Sequence, residues 1–128
     1  MMPLVSATKE DARFVYDLRF NDQNRHLCWT MTFPSFQEHE QYFLKYLHEY
    51  KIIMKADKKI GFLRLGKEIG IFLLKEYQGR GIGSIVLSQV SGRTSIKKEN
   101  TMSQRAFENA GWKQTGYIYE KKEEEIEQ

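Results

Sequence analysis

Three glycines stand at alternate positions in "EYQGRGIGSIVL", residues 76–87, and the chain then runs directly into an apolar stretch with helical spacing. A helix N-terminus exposes amides that have no intrahelical acceptor, together with the positive end of the peptide dipole. Glycines ahead of it let an anion such as phosphate reach the backbone itself. The stretch therefore predicts a strand, a loop and a helix joined at an anion-binding turn, with a plain strand-to-helix turn as the alternative. Its spacing excludes the commoner nucleotide loops. A Walker loop needs Lys followed by Ser or Thr after its last glycine, whereas Gly83 is followed by Ser84 and Ile85. A dinucleotide fingerprint starting from Gly79 and Gly81 needs a glycine where Ser84 stands.

Around this loop the pattern predicts a strand in "PLVSA", then a helix begun near Thr8 and Asp11 that turns Phe14 and Leu18 inward. From Phe20 to Pro34 the periodicity is lost, as in a long loop. "SFQE" at 35–38 is a capping box for a second helix, with Phe36, Phe43, Leu47 and Tyr50 on about one side. "KIIMKA", "KIGFLRL" and "EIGIFLL" form an antiparallel meander. Ile82 to Val90 reads as a helix, "RTSI" as a short strand, Thr101 to Ala110 as a helix stopped at Gly111, and "GYIYEKK" as a last strand. The expected class is α/β (α+β), a mixed, mainly antiparallel twisted sheet flanked by helices. One compact domain is expected over 1–120, with 121–128 as a charged tail.

At 128 residues the chain can bury one core without staples. Its apolar runs are too short to span a bilayer, and no basic segment precedes an apolar one at the N-terminus, so a cytoplasmic location is expected. Cys28 is the only cysteine, which excludes an internal disulfide and a cysteine-rich zinc site; no metal is expected. The net charge of +3 comes from scattered basic residues without a basic-aromatic motif, so no nucleic-acid partner is expected.

Gln78-Gly79-Arg80-Gly81-Ile82-Gly83 resembles the Q/R-x-x-G-x-G/A motif of the GCN5-related N-acetyltransferases, whose loop amides hold the pyrophosphate of acetyl-CoA. The block from Asn100 through Ser103 and Phe107 to Gly111 and Trp112 is similar to that family's N-x-x-S/A-x-x-x-Y-x-x-x-G-F helix. The resemblance covers about Leu4 to Tyr119. It implies acetyl-CoA as co-substrate, with Phe72, Leu73 and Leu74 lending backbone to the pantetheine arm and Leu73 at the acetyl group. Gln78, Gly79, Arg80, Gly81, Ile82, Gly83 and Ser84 would bind the phosphates, and Asn100, Ser103, Arg105 and Phe107 would line the pantetheine and thiol end.

Acetyl transfer to an amine needs a neutral amine, a stabilised oxyanion and a protonated leaving thiolate. Backbone amides near Leu73 and Leu74 suit the oxyanion. The family's tyrosine acid is replaced by Phe107, which has no proton to donate, so solvent, Tyr117 or Tyr119 must take that role. Glu68, His39 and His26 are the candidate bases. The short stretch from Gly83 to Asn100, and the single strand left beyond Trp112, raise the expectation that a second copy completes the sheet as a homodimer.

The front half, with Arg19, Asn21, Asp22, Arg25, Ser35, Glu38, His39 and Phe43, resembles acetyltransferases of nucleotide-linked amino sugars in pseudaminic and legionaminic acid pathways. The expected partner is thus a small-molecule amine. A protein N-terminus or another small amine, and a coenzyme-binding module without catalysis, remain as alternatives.

Overall fold

A computed structural model describes residues 1–21 and 33–121. Its strands are β1 (Leu4–Ser6), β2 (Tyr50–Lys55), β3 (Lys58–Leu65) and β4 (Ile69–Leu73), and its helices are α1 (Ala12–Arg19), α2 (Phe36–Lys45), α3 (Ile82–Ser88) and α4 (Thr101–Asn109). The strands form one sheet in the order β1-β2-β3-β4, every neighbouring pair antiparallel. No helix of the described residues is long and apolar enough to cross a membrane.

Strand alternation divides the core in two. Tyr50, Ile52 and Phe62 face α1 and α2, packing with Val15, Leu18 and Phe43. Ile53, Leu63 and Ile69 face the other way and pack with Val86, Leu87 and Phe107 from α3 and α4. The sheet is therefore a partition, with one helix pair on each side.

Register in β3 is broken by one residue. Ile53 opposes Gly61 while Met54 opposes Lys59, leaving Ile60 as the extra residue of a bulge. A Cβ at Gly61 would stand 2.3 Å from the Phe72 carbonyl oxygen, so glycine is what lets β3 approach β4 this closely. The Ile60 carbonyl in turn accepts the Leu74 amide at 2.9 Å.

The capping box at α2 forms as predicted: Ser35 Oγ accepts the Glu38 amide at 3.1 Å, and Glu38 Oε1 accepts the Ser35 amide at 3.3 Å. Lys59 and Asp11, the latter buried at the turn before α1, form an ion pair.

Several elements are shorter than the pattern predicts. The second helix stops at Lys45, a tight turn covers Leu47–Glu49, and Tyr50 opens β2 instead of ending the helix. "RTSI" lies beside β4 without forming a ladder: the Arg93 carbonyl accepts the Ile69 amide at 2.8 Å, and Thr94 Oγ1 donates to the Ile69 carbonyl at 2.8 Å. "GYIYEKK" is not a strand over its described part, 116–121; Tyr117, Ile118 and Tyr119 are all exposed there. The sheet among the described residues thus has four strands. The charged end, 122–128, lies outside the described residues.

Candidate active site

Among the described residues β4 is the last strand of the sheet, and one of its edges carries no ladder. Backbone groups of alternate residues point to alternate edges. The amide and carbonyl of Ile69 bond outward to the 93–94 segment, and the Leu73 carbonyl accepts from Gln78 Nε2 at 3.0 Å, also away from β3. By the same alternation, Ile71 turns its amide and carbonyl, and Leu73 its amide, to the open edge. The Leu74 amide does not join them, because the Ile60 carbonyl takes it. Of the two amides named for oxyanion binding, only that of Leu73 faces outward.

A groove of about 360 Å³ follows this edge. Leu73, Gly83, Asn100, Ser103, Ala106 and Phe107 line it from the α3–α4 side. Arg19, Tyr50, Phe62, Arg64 and Phe72 line it from the α1–α2 side. Glu68, Thr94, Ser95 and Lys97 close one end. Helix α4 is aimed by its cap, since Asn100 Oδ1 accepts the Ser103 amide at 3.1 Å. Ser84 Oγ ties α3 to α4 by donating to the Ala106 carbonyl at 3.2 Å.

The glycine loop takes the conformation that its composition suggested. Gly79 and Gly81 have φ of 73° and 79°, in the left-handed region that glycine enters without strain. Gly81 caps α3, and the first bond of that helix runs from the Ile85 amide to the Gly81 carbonyl. The amides of Ile82, Gly83 and Ser84 therefore precede any intrahelical acceptor. Gly79, Arg80 and Gly81 are exposed at the surface of the loop.

Seven of the proposed coenzyme residues line the groove: Phe72, Leu73, Gln78, Gly83, Asn100, Ser103 and Phe107. Leu74 and Ile82 belong instead to the two cores, and Arg105 is exposed on α4 outside the groove. Among the catalytic candidates Glu68 alone lines it, with Ser95 Oγ donating to its carboxylate at 2.6 Å. Tyr117 is 78% exposed and Tyr119 90%, and neither reaches in. His26 lies outside the described residues.

His39 is placed where sequence reasoning did not put it. It is only 3% exposed, surrounded by the rings of Tyr16, Phe20 and Phe43 at centroid distances of 5.3, 5.6 and 5.9 Å. Its Nε2 has no hydrogen-bond partner among the described residues. Burial holds its pKa below the ordinary value and nearby Arg19 adds to that, against an opposing hydrogen bond to the Ala12 backbone. This is a neutral core imidazole, and it does not line the groove.

Sequence reasoning missed the groove roles of Tyr50 and Arg64. The alternation that brings Phe62 to the α1–α2 face brings them there too, so the signal was present in the strand period. Burial raises the Tyr50 phenol above its usual range, against the opposite pull of Arg64, which keeps it protonated. Arg64 donates to Glu49 Oε2 from Nε at 3.3 Å and from Nη2 at 3.0 Å.

This partitioned sheet with helices on both sides is a fold the chain shares with solved acetyltransferases. Among solved structures, the chain is similar to the spermidine N-acetyltransferase from Vibrio cholerae in complex with CoA and spermine. The TM-score is 0.76 at 19% identity, over 94% of this chain and 85% of that one. It is also similar to the aminoglycoside acetyltransferase AAC(6')-Ib in complex with paromomycin and acetyl-CoA, with TM-score 0.73 and 18% identity, over 91% and 85% of the two chains. A possible acetyltransferase from Clostridium difficile 630 aligns over 96% of this chain and 97% of its own, with TM-score 0.68 and 12% identity. No protein-family model and no curated protein matches the sequence.

Proposed function

We propose that this chain is an acetyl-CoA-dependent N-acetyltransferase that acts on a primary amine of a small molecule. The observation that supports this most is the meeting of the open backbone edge at Ile71 and Leu73 with the glycine turn and α4 on one groove. An extended pantetheine arm is a chain of amides, so it can pair with a strand edge much as another strand does. The uncapped amides at the start of α3 then suit the pyrophosphate.

In the reaction the neutral amine nitrogen attacks the thioester carbon and a C–N bond forms while the carbonyl electrons move to oxygen. The Leu73 amide is placed to stabilise that oxyanion. Collapse breaks the C–S bond, the amine proton leaves and the thiolate gains a proton. Glu68 stands five residues of extended strand before Leu73, roughly 16 Å away, so it receives the amine proton through a chain of groove water and not by direct contact. Phe107, buried edge-on against Trp112, has no proton to give, so solvent returns one to a thiolate whose ordinary pKa is about 8.5.

The finer acceptor assignment is an amino group of a nucleotide-linked amino sugar. Its sequence basis narrows in the structure: Ser35 and Glu38 cap a helix, Phe43 is core, and Asn21 Nδ2 donates to the Leu18 carbonyl at 2.9 Å. Asp22 and Arg25 lie outside the described residues. Arg19 lines the groove and supports the assignment.

Phe107 also favours a second reading, a coenzyme-binding module without turnover. Incubation with acetyl-CoA and a panel of amines, with free thiol and acetylated product both followed, separates the two. Transferase activity gives equal amounts of thiol and amide. Tight coenzyme binding with no thiol from any amine would leave the silent module.

A further inference from the structure

Resting on the acetyltransferase reading, we infer that the acceptor carries a carboxylate or phosphate near its amine and that Arg19 binds this group. Arg19 ends α1 and enters the groove on the α1–α2 side of the sheet, across from the glycine turn and α3. It is therefore separated by the sheet from the place where the coenzyme phosphates sit.

Its guanidinium lies over the Phe72 ring at 5.0 Å and the Phe20 ring at 5.3 Å. Phe72 is itself stacked on Phe62 at 4.9 Å with 15° between the planes, so the platform is built from two strands. A cation held against ring faces spends no N–H donor on a carboxylate, so the guanidinium fork, which matches a carboxylate or phosphate, is left to a ligand. Among the described residues no carboxylate is paired with Arg19.

The other charges of the groove agree. Arg64 is engaged by Glu49, so it adds little net charge. Among the described residues lining the groove Glu68 is the one carboxylate, and Ser95 Oγ donates to it. Among the described residues a polycationic acceptor would find a single carboxylate here, against Arg19 and Lys97. An amine with an anionic group would place that group on Arg19 and its nitrogen toward the strand edge at Leu73.

Two matched pairs test this: glucosamine against glucosamine 6-phosphate, and cadaverine against lysine, which is cadaverine with a carboxylate. Spermidine serves as the polycation. Thiol release gives kcat/KM, and the melting shift of the CoA-saturated protein gives binding where turnover is slow. A charge-assisted, forked contact predicts that the phosphate or the carboxylate member exceeds its match by about tenfold or more. Whichever pair responds identifies the anion. Arg19→Gln should make the members of that pair equivalent while the melting shift with acetyl-CoA alone persists. The inference is overturned if the members without the anionic group, or spermidine, do as well in the parent protein, or if the preference survives Arg19→Gln. Loss of any response to acetyl-CoA would instead remove the acetyltransferase reading, which the same melting curves report separately.

Discussion

His39 shows how far a residue's position changes its chemistry. A histidine in a capped helix beside a substrate loop has the composition of a general base, and three aromatic rings make it a core residue instead. Burial lowers its pKa below about 6.5, so near and below that pH the unfolded chain binds more protons at this site than the folded one. Stability from this residue is therefore complete above about pH 6.5 and lost as pH falls through the range below it. Tm should fall between pH 7 and pH 5 more steeply in the parent protein than in His39→Phe; parallel curves would contradict a buried neutral imidazole. The spacing carried this burial, since His39 stands three residues after Phe36 and four before Phe43 on one helix face; what the sequence did not carry was that the rings of Tyr16 and Phe20 close over that face.

At the scale of elements, α4 depends on the residue that caps it. Asn100 both lines the groove and caps the helix through Ser103, so a change there disturbs stability and site together. Asn100→Ala should cost about 1 kcal/mol, a few degrees in Tm, and Asn100→Ser should recover most of it because serine caps comparably. Equal melting of Ala and Ser variants would show that the cap is not what fixes α4. The cap signals were legible: Ser35 with Glu38, Asn100, and the glycine turn at 79–83 all stand where their composition places them. Local chemistry decides those positions, and a sequence carries local chemistry directly. Strand identity is decided by neighbours. Thr94 and Tyr117 sit in segments of high β-propensity, yet the first makes one short contact line with Ile69 and the second has no ladder among the described residues. For the same reason the three-strand meander was readable, since each of its strands has a partner one turn away.

For the whole molecule, function rests on which edge of the sheet is left open. The bulge at Ile60 and the absent side chain of Gly61 bring β3 against β4, the Leu74 amide is taken up inside the sheet, and the Leu73 amide remains at the groove. None of this follows from the glycine motif by itself; the motif marked the phosphate end, while the acceptor end became visible only when the strand faces were assigned. Arg19 is an example. The sequence grouped it only loosely with the front-half residues of the acceptor resemblance, and the fold sets it on the side of the groove opposite the glycine turn.

The central claim is that this groove holds acetyl-CoA, and the first measurement is Tm with and without that compound, repeated in Gly83→Leu. A ligand at about 100 times its Kd adds about 2.7 kcal/mol of stability. Gly83 is helical, and a Cβ there would meet Ala106 and Leu73 only at 3.8 and 3.9 Å, so the backbone tolerates leucine while the rest of the side chain fills the groove. The account predicts a clear upward shift in the parent protein and none in the variant, with both proteins folded. No shift in the parent, or an equal shift in Gly83→Leu, would contradict it.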